Sequence, residues 1–538
     1  MRQLRSLWLP FLIILIPGVI FSLLLPYFPV DETRYLSVAW EMKLHNSFIV
    51  PLQNALPYSH KPPLLFWLVN LDWWLLGVNE QTLRFIPMLF SLFNVTVVYR
   101  IALLLWDEER TARYAAVILS STLSYLLWSS LIMFDLILTS WVLLALFGIV
   151  SAAKTHKVES WLIAGLAMGA GLLTKGPAVF VYILPVALLS FLWLPRGRFS
   201  RGWYGWLGLS LLVGIAVVLL WLIPAALTGG QAYREAILWG QTVNRMANSF
   251  AHKRPLWWYL PWLPVLLLPW ILLPATWRGS SRLTRDLGSR FALVWALSTV
   301  LIFSFISGKQ VHYMIPALPA FSLLMARNLA SHGDGEKTGG WRFAVPAFYT
   351  VLGVAAFAAP FTKLSGSLDR IGITGIHWLS YGLLAIGVTL FFVKQRSTSR
   401  LVACTAVSSL VLCAVVFASD VPFFQRYDLH GISGAIKQKQ ADGYSILHLG
   451  KYHGQFQFIG RLEQPLVQLD SMEEIGRYAA THDKVALITY EKQATPVNKE
   501  EVYFEQPFRS RRLVMWNKQG IRQVVKMHNT APAPPAPS

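Results

Sequence analysis

Charged residues are scarce in this chain of 538 residues: 14% are Asp, Glu, Lys or Arg, whereas 55% are hydrophobic. In soluble domains about a quarter of the residues are charged. A soluble fold of this length could not bury so much apolar sequence, so the composition excludes a soluble globular protein. The many apolar runs of about 17 to 22 residues, each able to cross about 30 Å of hydrocarbon, predict a polytopic membrane protein.

Cysteine is almost absent too. Cys404 and Cys413 are the only two, and both lie in the last apolar run. On one helix they stand too far apart to form a disulfide with each other. A disulfide-stapled scaffold is therefore excluded, and we interpret both side chains as small hydrophobic residues of the core.

Acidic residues are few as well, 27 against 47 Lys and Arg, so the net charge is +20. Such a charge is also found in nucleic-acid-binding proteins. Here, however, the basic residues stand in short clusters between apolar runs, which is typical of loops held on the cytoplasmic side of a membrane. The distribution predicts no nucleic-acid partner.

Thirteen apolar runs predict about thirteen transmembrane helices. They lie near residues 7–28, 85–105, 113–131, 133–153, 160–174, 178–194, 204–226, 257–275, 290–306, 311–326, 343–360, 376–393 and 401–419. Every second connection is basic, beginning with the one that holds Arg110 and Arg113. The positive-inside rule then places the N-terminus in the cytoplasm and the C-terminus outside. The first run is too long for a signal-peptide core and lacks a cleavage site, so we expect an uncleaved span.

The other connections would lie on the outer face, and they hold most of the ionisable residues near the membrane. Two of them are long, 29–84 and 227–256, and segments 33–45 and 231–256 within them are expected to lie in the interface as helices. The aromatic residues there suit either a belt at the headgroup level or a shelf for a lipid substrate. Ionisable groups near membrane depth usually serve a cavity or a substrate, so their convergence predicts a functional site on this side.

Beyond residue 427 the long apolar runs stop, and the pattern indicates a small α/β domain. The predicted strands are 445–449, 485–490 and 512–516. Ser471 and Glu474 form a capping box, which predicts a helix through Ala480. The expected divisions are a transmembrane domain at 1–426, an outer α/β domain at 427–530 and a Pro- and Ala-rich disordered tail at 531–538.

The outer connections offer the groups that transfer of a lipid-phosphate-linked sugar needs. Cations stabilise the leaving phosphate as charge develops there, and a carboxylate takes the proton of the acceptor hydroxyl. The carboxylates are Asp31, Glu32 and Asp135, and the cations are Lys61, Lys175, Lys253 and Arg254. Structural alternatives stay open. Asp31 and Glu32 could cap the interfacial helix, Asp135 could form an ion pair at a helix end, and Lys61 could simply extend to the interface.

Several short motifs within residues 1–330 carry a resemblance to a known family. They are Pro29-Val-Asp31-Glu32-Thr-Arg34-Tyr35, His60-Lys61-Pro62-Pro63-Leu64, Phe134-Asp135, Leu173-Thr-Lys175-Gly-Pro177, His252-Lys-Arg-Pro-Leu-Trp257-Trp-Tyr259, Lys309 and Tyr313-Met-Ile-Pro316-Ala-Leu-Pro319. In this order, and on one predicted side of the membrane, they resemble those of GT-C glycosyltransferases of the aminoarabinose transferase type. These enzymes are similar in plan to protein O-mannosyltransferases.

The resemblance implies an all-α GT-C fold in the bacterial inner membrane, with a periplasmic active site and no nucleotide cofactor. The donor would be an undecaprenyl phosphate-linked sugar, with 4-amino-4-deoxy-L-arabinose as the leading candidate, and the acceptor a lipid A phosphate or another envelope glycan. Asp31 and Asp135 would be the essential carboxylates of one site, with Asp31 as the base, and Lys61 would bind the carrier phosphate. Tyr58, Lys309 and Tyr313 would line the substrate pocket.

Members of this family can carry a metal held by a Glu before the motif lysine and by a distant His. In this sequence His60 replaces that Glu, while His252 matches the second position. Two histidines suit zinc, but two ligands need phosphate or water to complete a site. A divalent metal and two ordinary interfacial histidines therefore remain alternatives.

A non-enzymatic carrier or flippase of lipid-linked sugars, and a polymerase-like ligase, are the rival functions. A carrier would also need a charged cavity. Its substrate, however, should meet groups near the bilayer midplane, and many transporters show inverted repeats. The conspicuous charges here stand at one end of the spans and no internal repeat is evident, which favours an enzyme.

Overall fold

The computed structural model describes residues 2–195, 202–240, 254–277, 286–332, 339–395 and 397–530. His252, Lys253 and the predicted tail 531–538 lie outside these ranges. The described chain is mostly helical and forms two compact units. The first comprises the described parts of Met1–Leu24, Ser59–Ala358 and His377–Ser419, and the second those of Leu25–Tyr58, Ala359–Ile376 and Asp420–Ser538.

Seven helices of the described chain are long and apolar enough to cross a membrane. They are Ser6–Leu24, Phe85–Trp106, Phe134–Thr155, Trp203–Thr228, Leu287–Phe305, Gly339–Phe361 and Thr398–Ser419, and the shorter apolar helices are Leu64–Leu76, Ala178–Leu188 and Ile376–Phe392. Further helices of the first unit are Glu109–Ser121, Leu123–Trp128, Val158–Lys175, Ser190–Trp193, Gly230–Glu235, Tyr259–Leu266 and Leu318–Ala330. A multi-span helical membrane protein is confirmed, whereas the number of thirteen stays a prediction.

The apolar run 257–275 does not form the continuous span that was expected. It contains two 3-10 turns after Leu266 and one α-helix of eight residues, Tyr259–Leu266. Pro261, Pro264, Pro269 and Pro274 explain the breaks. Each proline lacks a backbone N–H and clashes with the preceding turn, so hydropathy alone overestimated the helix.

Glycines let two helices of the first unit approach closely. A Cβ atom at Gly165 would lie 2.8 Å from the Cβ of Val213, and one at Gly169 would lie 2.6 Å from the Cβ of Val217. The helix Val158–Lys175 can therefore pack directly on its neighbour, Trp203–Thr228, as small residues allow in membrane helix pairs. This close packing fixes the position of helix Val158–Lys175, which ends at Lys175.

The second unit is built on a five-stranded sheet. Its strands are β3 (Ser445–Leu449), β4 (Val467–Leu469), β5 (Val485–Lys492), β6 (Val502–Phe508) and β7 (Arg511–Trp516), after a two-stranded hairpin of β1 (Leu52–Gln53) and β2 (Leu56–Pro57). The order is β4-β3-β5-β7-β6. β3 is parallel to β4 and β5, whereas β7 is antiparallel to β5 and β6. Its helices are Asp31–Leu44, Ser365–Ile371, Val421–Gln425, His430–Ala441, Gln457–Gly460, Met472–Thr481 and Lys518–Thr530.

The small C-terminal α/β fold is thereby confirmed, together with its three predicted strands and its capping box. Ser471 Oγ accepts a hydrogen bond from the N–H of Glu474 at 3.2 Å. Glu474 Oε2 in turn accepts one from the N–H of Asp470 at 2.9 Å. These reciprocal bonds satisfy donors that the first turn of the helix would otherwise leave unpaired.

The predicted interfacial segment 33–45 is a helix, Asp31–Leu44, and it packs within the second unit. The Glu41 carboxylate accepts the backbone N–H groups of Asn54 and Ala55, both at 2.7 Å. The Asn54 side chain donates to the carbonyl of Leu466 at 2.9 Å and accepts its N–H at 2.8 Å. These bonds join a segment near the N-terminus to the sheet region.

Candidate functional site

A buried ion pair joins two of the predicted residues. Asp135 is the second residue of helix Phe134–Thr155, and Lys175 is the last residue of helix Val158–Lys175. The Lys175 Nζ lies 2.6 Å from Asp135 Oδ1, and the two side chains are 9% and 2% exposed. Each charge also suits its helix end, because the N-terminal dipole favours an anion and the C-terminal dipole a cation. Asp135 therefore forms the ion pair at a helix end that was one of its two predicted roles. This pair fixes the position of Lys175.

Gly176 explains why the helix ends directly after this lysine. Its φ of +63° and ψ of −150° lie in a region that is essentially restricted to glycine. Its N–H still caps the helix by donating to the carbonyl of Leu172 at 2.9 Å. Pro177 then precedes the next helix, Ala178–Leu188. The Lys-Gly-Pro motif is thus a turn that presents Lys175 at a helix end.

Aromatic rings surround this ion pair. Lys175 Nζ lies 4.9 Å from the ring centroid of Tyr313, and Lys61 Nζ lies 5.7 Å from that of Phe134, the residue before Asp135. Both distances are typical of cation–π contacts. Four residues singled out from the sequence, Lys61, Asp135, Lys175 and Tyr313, therefore stand together in the first unit.

Two further residues of this cluster were not predicted as site residues. The ring of His312 lies 4.9 Å from the ring of Tyr313, and His312, like Lys61, stands within electrostatic range of Asp135. The Tyr182 hydroxyl donates to the carbonyl of Tyr313 at 2.8 Å and holds this segment. The position of His312 beside Tyr313 was a usable signal, whereas nothing in the apolar run distinguishes Tyr182.

The ammonium group of Lys309 forms hydrogen bonds with backbone carbonyls. Its Nζ donates to the carbonyls of Arg254 and Ile306 at 3.0 and 2.7 Å, and the residue is 3% exposed. The Arg254 N–H also donates to the carbonyl of Ser307 at 3.2 Å. These contacts indicate that Lys309 braces two loops of the first unit, which was not expected from the sequence.

Asp31 is the accessible carboxylate of the second unit. It is the first residue of helix Asp31–Leu44, its side chain is 46% exposed, and it pairs with the Arg34 guanidinium one turn later. The Tyr35 hydroxyl also approaches it at 3.3 Å. Burial and the neighbouring Asp31 raise the pKa of Tyr35 well above its usual value, so this phenol stays a hydrogen-bond donor. Buried Tyr58 lies within electrostatic range of Arg34.

Glu32 differs from Asp31 in its surroundings. It is 2% exposed, and its Oε2 accepts the backbone N–H of Phe28 at 2.9 Å. This bond fixes the chain that enters the helix, but Phe28 precedes the helix, so the bond is not a helix cap. A buried carboxylate that already accepts a backbone N–H is poorly placed to take a proton from a substrate.

A metal site is not built by the described part of the chain. Within it, no group of three or more His, Cys, Asp or Glu side chains is arranged to hold an ion. His60 lies in the first unit, and its expected co-ligand His252 is outside the described residues. The alternatives of a divalent metal held by His60 and His252 and of two ordinary histidines therefore both stay predictions.

The first-unit cluster is suited to an anionic group. One carboxylate, Asp135, faces Lys175 at contact distance, while Lys61 and His312 stand within electrostatic range of it. The cluster thus brings two lysines and one carboxylate together. A phosphate beside such preorganised cations is stabilised most where solvent is excluded.

Comparison with known proteins shows what this chain is similar to. Residues 60–221 match the family described as dolichyl-phosphate-mannose-protein mannosyltransferase. Over 327 residues, the chain is 32% identical to an undecaprenyl phosphate-alpha-4-amino-4-deoxy-L-arabinose arabinosyl transferase of Erwinia tasmaniensis, covering 57% of this chain and 56% of the relative. A protein of the same name from Pectobacterium atrosepticum is 33% identical over 309 residues, covering 55% and 54%. The match thus spans about half the length of these relatives.

The fold agrees over nearly the whole chain with that of ArnT from Cupriavidus metallidurans. The crystal structure bound to undecaprenyl phosphate has a TM-score of 0.71 at 17% identity, covering 95% of this chain and 96% of that chain. The apo state gives 0.72, covering 95% and 98%. The resemblance to GT-C glycosyltransferases of the aminoarabinose transferase type, predicted from the motifs, is confirmed.

Proposed function

We propose that this chain, which has the fold of an aminoarabinose transferase, transfers a sugar from undecaprenyl phosphate to an envelope glycan acceptor. The sugar is 4-amino-4-deoxy-L-arabinose, and the acceptor is a phosphate of lipid A. The observation that carries the proposal is the cluster of Lys61, Lys175 and Asp135 in the first unit. The names and sequence identity of the relatives support the donor.

In the proposed reaction, an acceptor oxygen attacks the anomeric carbon of the sugar. The bond between that carbon and the carrier phosphate breaks, and undecaprenyl phosphate leaves with the electron pair. Lys61 and Lys175 stabilise the charge that develops on the leaving phosphate. Asp135 holds Lys175 in position, and Asp31, the exposed carboxylate, takes the proton that the acceptor phosphate carries in its monoanionic form. No step is assigned to a metal.

The proposed orientation places the N-terminus in the cytoplasm and both the C-terminus and the site in the periplasm of a bacterial inner membrane. It rests on the alternation of basic loops. A reporter that is active only in the periplasm should give a signal when fused after Asp420 and none when fused after Arg282. The opposite pair of results would reverse the topology and place the site in the cytoplasm.

Transfer is separated from transport by following both products. Purified protein in detergent should release undecaprenyl phosphate from the lipid-linked sugar only when lipid A is added, with one modified lipid A formed for each carrier released. A flippase or carrier would release none, because no bond is broken. Mass spectrometry of both lipids measures the result, and the absence of release with an intact donor and lipid A would refute the enzyme.

Lys61→Ala tests in the same assay whether this lysine binds the carrier phosphate. If Lys61 binds the carrier phosphate, its loss removes a charge-assisted contact of about 2–4 kcal/mol, which corresponds to about 30- to 1000-fold in rate. Lys363→Ala, at an exposed lysine of the second unit, should leave the rate unchanged. A rate within about threefold of wild type for Lys61→Ala would show that this lysine only extends to the interface.

A further inference from the structure

Three chain segments meet at the end of the five-stranded sheet where β3 and β5 finish, and we call this end the carboxyl edge. The segment Gly450–Phe456 follows β3, and Tyr490 lies near the carboxyl end of β5. The turn at Arg509 joins β6 to β7, and the pairing of Arg511 with Lys492 places this turn at the same end of β5. β4 and β5 flank β3 on opposite sides, and open α/β sheets bind ligands beyond the carboxyl ends of strands where the order reverses in this way.

Polar side chains of these segments contact one another. Gln455 Nε2 donates to the Tyr490 hydroxyl, and the rings of His448 and Tyr490 lie 6.0 Å apart. Arg509 packs over the ring of Phe508 at 5.3 Å and donates to the carbonyl of Pro29, two residues before Asp31. The cluster therefore extends from the sheet edge to the start of helix Asp31–Leu44.

The loop after β3 approaches that helix closely. Gly454 has a φ of +76°, and a Cβ there would lie 2.5 Å from Ser37 Oγ. Only glycine fits both this conformation and this approach. The charges of Arg34, Lys451 and Asp31 all affect the pKa of the neighbouring His453. The cations of the loop and of the helix therefore belong to one electrostatic environment.

Several buried polar atoms of the cluster have no hydrogen-bond partner among the described residues. They are the acceptor Gln455 Oε1, the ring nitrogen His448 Nε2, and the donors Arg34 Nε and Arg509 Nε. His448 is 4% exposed, and its Nδ1 faces the carbonyl of Gly450 at 3.3 Å. Burial lowers the pKa of His448, so the ring is neutral, and Nε2 is an acceptor when Nδ1 donates to that carbonyl. Unpaired buried polar groups cost stability unless a ligand satisfies them.

The charge balance of this edge is positive. The cations are Arg34, Lys451 and Arg509, and the carboxylates are Asp31, near His453, and Glu41, near Tyr452. Burial and the nearby Arg34 and Lys451 lower the pKa of His453, as expected where positive charge is concentrated. Unsatisfied acceptors beside cations whose Nε–H donors are unsatisfied suit a ligand that carries hydroxyl groups and a phosphate together.

We infer that this edge of the sheet binds a phosphorylated sugar of the acceptor, with its phosphate against Arg509 and Lys451 and its hydroxyls toward His448 and Gln455. The inference rests on the proposed function for the identity of the ligand, since lipid A is a phosphorylated glycan. A carrier lipid such as undecaprenyl phosphate has no sugar hydroxyls once the sugar is transferred, so it uses only half of these groups. The subsite therefore suits a phosphorylated glycan better than the carrier lipid without its sugar.

Binding to the full-length protein in detergent tests the inference without requiring turnover. Wild type should bind diphosphorylated lipid A at least about tenfold more tightly than its enzymatically dephosphorylated form, because the phosphates would form charge-assisted hydrogen bonds with Arg509 and Lys451. Lys451→Gln with Arg509→Gln should remove this preference and leave the affinity for undecaprenyl phosphate unchanged. Inorganic pyrophosphate should compete with lipid A in wild type and not in the double variant.

Two variants separate a binding defect from a folding defect. Lys451 is exposed, so Lys451→Gln alone should keep the unfolding temperature and still weaken lipid A binding about threefold or more. Lys484→Gln makes the same change before β5, at the opposite end of the sheet, and should have no effect. Equal binding of both lipid A forms by wild type, or an unchanged preference in the double variant, would overturn the subsite. Selective binding without transfer would keep the subsite and refute the transferase.

Discussion

Replacing Asp31 with asparagine should lower the rate of sugar transfer by about 100-fold or more, since a general base contributes at least that much. Asparagine keeps the shape of the side chain and can still accept from Arg34 and the Tyr35 hydroxyl, the two groups that contact Asp31. What it loses is the ability to take a proton. A 100-fold loss corresponds to about 2.7 kcal/mol of transition-state stabilisation.

The matched control for this change is Asp369→Asn, at an exposed carboxylate of the second unit. It should leave transfer unaffected. Purified Asp31→Asn should also bind the undecaprenyl phosphate-linked donor as tightly as wild type, because a base acts in the chemical step and not in donor binding. Near-normal transfer by Asp31→Asn would refute the assignment of this residue as the base.

Lys175→Met should lower transfer by about 30- to 1000-fold, through loss of a contact to the leaving phosphate of about 2–4 kcal/mol. It should also destabilise the protein. The Asp135 side chain is 2% exposed, and without Lys175 its charge stays buried with its closest partner removed. Breaking a buried pair in this way costs about 3–5 kcal/mol, measured as a lower unfolding temperature in detergent.

The double variant Asp135→Asn with Lys175→Met separates these two effects. A neutral amide beside an apolar side chain leaves no buried charge, so much of the lost stability should return, as it does when buried pairs are replaced together. Transfer should stay as low as in Lys175→Met, because the phosphate ligand is still missing. Recovery of transfer along with stability would mean that the pair is only a structural element.

Asp135 and Lys175 could each be predicted as site residues from the sequence, but the contact between them could not. Asp135 and Lys175 each stood in a recognisable motif on the same predicted side of the membrane. The sequence holds no direct signal that side chains 40 residues apart meet at 2.6 Å. That contact depends on how helices Phe134–Thr155 and Val158–Lys175 pack, which a one-dimensional pattern does not contain.

Strands of the second unit show the same limit. β5 was predicted because a run of apolar and β-branched residues indicates a buried strand. β6 was missed because its residues alternate between partly buried and exposed and include Pro507, features tolerated at a sheet edge. β4, with three residues, is too short to produce a pattern.

Burial in the structure distinguishes the roles of residues that look alike in the sequence. Glu32 and Asp31 are chemically similar neighbours, yet one accepts a backbone N–H and the other is half exposed. Lys309 and Lys175 are both lysines on the predicted outer side. The first binds two backbone carbonyls, whereas the second faces a carboxylate and a tyrosine ring. Such differences arise from the loops around each residue.

The bonds between helix Asp31–Leu44 and the sheet region also set the order of events during synthesis on the ribosome. Asn54 and Leu466, which exchange two hydrogen bonds, are 412 residues apart in the chain. At about 5–20 residues per second, the ribosome needs about 20 to 80 seconds to make the intervening chain. During that time Asn54 cannot form its two hydrogen bonds with Leu466, so this early segment completes its native contacts only after the last fifth of the chain has begun to emerge.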